Sequence, residues 1–106
     1  MTQAQRLALE TSNAILVRNP FDGAAVGEIA VSSTSEINAA VLRAKAAQHE
    51  FRRSTPAVRR AMLNALAAEI AADAENLARI ISSEMGKTIR EARNEVRRAQ
   101  NTLKLS

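Results

Sequence analysis

The amino-acid sequence predicts a mainly α-helical fold with one N-terminal β-hairpin. Three observations carry this expectation. Alanine, leucine, arginine and glutamate, all good helix formers, are abundant along the chain. Beyond residue 33, helix-start signals recur, each followed by apolar residues at helical spacing. Before it, two short apolar runs flank Asn19-Pro20-Phe21-Asp22-Gly23, a stretch composed of turn residues.

Taken in order, residues 1–13 are polar and read as an N-terminal extension, with a short helical start at Gln3–Glu10. A hairpin is expected over about 15–31: Ile15–Arg18 forms one strand, and Ala25–Val31 forms the second by its alternation of Val, Ile and Val. Pro20 presets the first turn position, and Gly23 supplies a positive φ that returns the chain. Four helices follow, at about 35–52, 56–72, 74–85 and 89–106. Ser33 and Glu36 make a capping box for the first, whose stripe is Ile37, Ala40, Val41, Ala44 and Phe51. Thr55 caps the second, with Pro56 in the first turn, where its missing N–H costs nothing; Val58, Met62, Leu63, Leu66 and Ile70 face inward. Asp73 caps the third, with Leu77, Ile80, Ile81 and Met85 inward. Thr88 and Glu91 form a capping box for the fourth, with Ile89, Ala92, Val96, Ala99 and Leu103 on one side and no stop signal before Ser106.

Composition excludes several function classes. The chain of 106 residues has no cysteine, hence no disulfide, thiolate metal site or cysteine nucleophile. Its one histidine, His49, falls late in the first helix, where a surface position is expected. No apolar run is long enough for a membrane span, and no basic flank precedes an apolar signal core; a cytoplasmic protein is the expectation. The net charge of +4 raises the question of nucleic acid. However, the arginine pairs Arg52-Arg53, Arg59-Arg60 and Arg97-Arg98 diverge on a helix, and acidic residues such as Glu69, Asp73 and Glu84 interrupt them. Without Trp or Tyr there is little to stack on bases. Solvated helix faces are the expectation, with a free-standing basic helical interaction module that binds nucleic acid as the alternative.

Gly86-Lys87-Thr88 looks like the tail of a phosphate-binding loop, but that loop needs a glycine where Ile81 stands and a strand where Asn76–Ile81 carries helical spacing. The residues read instead as a helix–Gly–helix corner with Lys87 exposed at it, and no ATP site is expected. Glu91 and Glu95 lie one helical turn apart, a spacing that suits a metal, but salt bridges to Arg90, Arg93, Arg97 or Arg98 are the commoner outcome.

Several motifs in register resemble the aldehyde dehydrogenase superfamily. Val17-Arg18-Asn19-Pro20-Phe21-Asp22-Gly23 with Val26-Gly27-Glu28 is similar to that family's opening strand pair. Ser35-Glu36-Ile37 with Ala40, Val41, Ala44 and Ala47 resembles its first helix, with Phe51-Arg52 where Trp-Arg is usual. Arg60, Leu63 and Leu66 are similar to its second helix, and Glu84-Met85-Gly86-Lys87 with Glu91-Ala92 and Glu95-Val96 to its "E-x-G-K…EA…EV" signature. The resemblance covers residues 14–106 and implies the N-terminal part of a coenzyme-binding domain, a piece of an α/β fold, from a truncated product or a fragment. In the intact family, NAD or NADP accepts hydride after a cysteine thiolate attacks an aldehyde, giving an acid or an acyl thioester. The resemblance carries no catalytic, cofactor-binding or metal-binding residue onto this chain. Glu95 is the nearest match to an acidic residue near a structural cation in some members, and it is not taken as a site. The chain alone is expected to be inactive, to bind no cofactor, and to have as partner either the remainder of the enzyme or further copies through its apolar helix faces.

Overall fold

The computed structural model describes residues 2–3 and 13–106. The helical start expected at Gln3–Glu10 lies largely outside the described residues. The described fold is a hairpin followed by helices: β1 (Ala14–Arg18), β2 (Ala25–Ala30), α1 (Thr34–Phe51), α2 (Pro56–Ala72), α3 (Ala74–Met85) and α4 (Ile89–Leu105).

The strands pair antiparallel, with Ala14 opposite Ala30, Ile15 opposite Ile29 and Leu16 opposite Glu28; the register slips between Val17 and Arg18. The turn is held by its own side chains. The Phe21 amide donates to Asn19 Oδ1 at 2.9 Å, the Ala24 amide to Asp22 Oδ1 at 2.9 Å, and Gly23 takes φ +73°. Asx bonds of this kind replace the ladder bonds that a turn cannot make.

Local chemistry also sets the helix starts. Ser33 accepts from the Glu36 amide while the Glu36 carboxylate accepts from the Ser33 amide at 2.7 Å, a reciprocal box that satisfies two otherwise orphaned donors. The same hydrogen bonds from Ser33, backbone first and hydroxyl second, hold the Glu36 carboxyl below its ordinary value. Thr55 caps α2 ahead of Pro56, and Thr88 forms the second box with Glu91. Asp73 departs from expectation. It stands at the head of α3, but φ −105° and ψ 16° put it outside the extended region that an N-cap needs, and its side chain makes no cap bond. The reason is that its amide still donates to Glu69 O at 3.1 Å: one residue both ends α2 and begins α3.

The core is small and made mostly of alanine. Ala78 and Ala92 are wholly buried, Ala67 and Val96 nearly so, and Ile70, Ala74, Leu77, Ile81 and Ile89 pack around the cluster of Ala78, Ala92 and Val96. Small side chains let α4 approach both α2 and α3 closely. Much of the expected inward stripe is not buried. Ile37, Val41 and Phe51 of α1, Val58, Met62 and Leu66 of α2, and Ile80 and Met85 of α3 are exposed, as is Ala99 of α4. The cause is architectural: α1 has at most marginal contact with the other elements, so its apolar side meets no partner. The molecule measures 55 × 40 × 15 Å, little thicker than one helix with its side chains.

Candidate functional site

The densest polar chemistry gathers where α3 turns into α4. Gly86 ends α3 at φ +69° and donates its amide to Ser82 O at 2.9 Å. The Ser82 hydroxyl then donates across the corner to Lys87 O at 2.7 Å. With the corner closed in this way, the Lys87 ammonium reaches α4 and pairs with the Glu95 carboxylate. Lys87 is therefore half-buried and paired, not exposed at the corner as the sequence suggested. The carboxylates of α4 also find partners other than the arginines expected for them: Glu95 takes Lys87, and Glu91 accepts from Thr88 at the helix start.

A second link ties the two helices together. Arg93 donates from Nε and Nη2 to the two oxygens of Glu75 at 2.9 and 2.8 Å, a fork that matches the carboxylate geometry. Arg79 approaches the same carboxylate at 3.6 Å. The Arg93 hydrogen bonds hold the Glu75 carboxyl below its ordinary value, against a smaller opposing effect of desolvation, and Glu75 in turn raises the Arg93 guanidinium.

Between this corner and the tip of the hairpin lies an open groove of about 620 Å³, walled by Asn19 and Phe21 on one side and by Glu75, Arg79, Ser82 and Lys87 on the other. Arg79 and Arg93 share the one carboxylate of Glu75 and Lys87 pairs with Glu95, so the cations of the groove are largely, though not wholly, offset. Among the described residues no group of three or more His, Cys, Asp or Glu side chains could hold a metal ion, and no helix is long and apolar enough to cross a membrane. His49 lies exposed in the last turn of α1.

A two-stranded hairpin joined to a one-layer set of helices is also a part of a larger dehydrogenase: the chain superposes on an NAD-dependent benzaldehyde dehydrogenase from Corynebacterium glutamicum with a TM-score of 0.83 and 27% identity, over 89% of this chain and 21% of that one. The aldehyde dehydrogenase family model matches residues 8–106, and the chain belongs to that family. It is 43% identical to 3,6-anhydro-alpha-L-galactose dehydrogenase of Streptomyces coelicolor, over 82% of this chain and 18% of that protein. It is 41% identical to aspartate-semialdehyde dehydrogenase 1 of Pseudomonas canavaninivorans, over 87% of this chain and 20% of that protein. The chain thus spans about a fifth of the length of the curated relatives it matches. Their names cover a sugar aldehyde and an amino-acid semialdehyde, so the likeness points to no single substrate.

Proposed function

We propose that residues 14–106 are the N-terminal part of the coenzyme-binding domain of an NAD(P)-dependent aldehyde dehydrogenase, preceded by a short extension at 1–13. In this reading the segment supplies architecture, not chemistry. It contributes a hairpin and four helices whose open apolar sides pack on the remainder of a cytoplasmic enzyme, and that remainder holds the coenzyme and performs the oxidation. No residue here is assigned a catalytic, coenzyme-binding or metal-binding role. The supporting observation is the one-layer build: folded domains bury their apolar faces between at least two layers, whereas here Val41, Phe51, Met62 and Leu66 stay exposed. The sequence agrees, because the family reaction needs a thiolate and this chain has no cysteine.

Two measurements test the proposal. The purified chain, incubated with benzaldehyde and several semialdehydes and either NAD or NADP, is expected to produce no reduced coenzyme. Co-expression with a version of the Corynebacterium enzyme lacking the stretch that superposes on this chain is expected to bring the truncated enzyme into soluble form. Reduced coenzyme made by the chain alone, or failure of the two pieces to associate, would overturn the reading.

A further inference from the structure

The hairpin meets the helical layer along β1, which touches α3, and at one close approach of its turn, whose geometry is specific. A Cβ placed on Gly86 would lie 2.7 Å from Pro20 Cγ and 3.7 Å from Pro20 Cβ, the first distance far inside ordinary contact. The residue also sits at φ +69°, where a side chain strains the backbone. Two constraints thus coincide at position 86, one set by the helix end and one by a ring from a distant turn. We infer that Pro20 and Gly86 form a latch that fixes the hairpin on the α3–α4 corner, with residue 86 required to lack a side chain because Pro20 occupies its place.

The surroundings suit that role. Pro20 stands in a turn stiffened by its own Asx bonds and by the Arg18 guanidinium, which donates to Gly23 O at 2.8 Å, so the ring is presented on a rigid tip. The corner opposite is equally braced, by the Ser82 bond to Lys87 O and by the Lys87–Glu95 pair. A rigid tip against a rigid corner cannot yield to an added methyl group, which would have to lift the hairpin. The contact also sets the separation of Asn19 and Phe21 from Ser82 and Lys87 across the groove. β2 is exposed along its whole length, so apart from the contact of half-buried β1 with α3 the turn is what seats the hairpin.

Hydrogen exchange of the full chain, resolved by peptide, tests the latch. Gly86→Asn separates the two constraints, since asparagine tolerates the left-handed region but carries the offending Cβ. The expected result is about tenfold faster exchange in the hairpin amides of residues 14–30, with the helices of residues 56–105 unchanged. Adding Pro20→Ala to Gly86→Asn should return the hairpin most of the way to the rate of Pro20→Ala alone. Four outcomes would overturn the inference: a hairpin already exchanging like an unfolded peptide in the parent chain; no change in Gly86→Asn; acceleration spread evenly over the helices, which would place the effect in the corner itself; or no recovery on removing the proline ring.

Discussion

Glu75 links two helices through one half-exposed side chain. Its carboxylate takes both donors of Arg93 and lies beside Arg79, joining the start of α3 to the first turns of α4. Hydrogen bonding to Arg93 lowers its pKa, so the carboxylate stabilises the folded form wherever it is ionised in both states. That contribution is full above the ordinary carboxyl value of 4.5 and is lost as pH falls through the lower folded value. Glu75→Gln should therefore weaken the helical circular dichroism signal in urea at neutral pH and converge on the parent chain in acid, once pH has fallen through the lowered folded value. A difference that persists undiminished in acid would show that the glutamate acts through packing and not through its charge. This pairing was not legible in the sequence. Glu75 and Arg93 belong to different helices, and the local spacing rules that suggested partners for Glu91 and Glu95 within α4 have no term for a chain that doubles back. The same blindness left Lys87 exposed on paper, when the corner carries it to Glu95. Position 86 was legible only in part: its role as a helix end follows from glycine itself, but the proline that fills its side-chain space comes from the hairpin.

At the scale of elements, the caps were read correctly where one residue's chemistry decides them. Ser33, Thr55 and Thr88 each accept the amide expected of them. The stripes were read less well. Periodicity tells which side of a helix is apolar, but not whether anything covers that side, and α1 presents Ile37, Val41 and Leu42 largely to solvent. Size matters in the converse way: Ala78 is wholly buried, yet beside Leu77 and Ile81 an alanine does not stand out in a hydrophobic pattern. Yet Ala78 and Ala92 are where the helices touch. Ala92→Leu should accordingly push α4 away from its neighbours and cost about 1–3 kcal/mol, whereas Leu42→Lys, at 67% exposed, should leave helix stability within about 0.5 kcal/mol. Hydrogen exchange of the helix amides in both variants, which reads local opening residue by residue, checks the contrast. Equal effects would mean that the small-residue contact is not what holds the layer together.

The whole molecule is a slab. Its radius of gyration is 18.6 Å, against about 13 Å for a compact domain of this length. Its accessible surface is 8613 Å², against roughly 5800 Å² for a compact monomer of this mass. The excess is larger than a standard protein–protein interface buries in total, about 1,600 Å², and it carries Val41, Phe51, Met62 and Leu66. Exposed apolar side chains grouped in this way promote association. The chain by itself is therefore expected to show helical circular dichroism without a sharp thermal transition, to bind a dye specific for exposed apolar surface, and to grow in size with concentration in sedimentation. A monodisperse monomer that melts cooperatively at high temperature would mean that the helices close on one another in solution, and the slab would not describe the free chain.

That thinness has a consequence in time as well as in space. In an enzyme built as proposed above, this segment leaves the ribosome early, and a relative of which it matches 88 residues, 18% of the length, has roughly 400 residues besides. At about 5–20 residues per second, their synthesis takes on the order of 20–80 s. Helices form within microseconds, so α2, α3 and α4 can close around their alanines almost at once, while the outer faces of α1 and α2 wait through most of translation for the remainder proposed to cover them. An early segment held together by methyl groups, with its larger side chains kept for a partner not yet made, is one that nascent-chain chaperones should meet often.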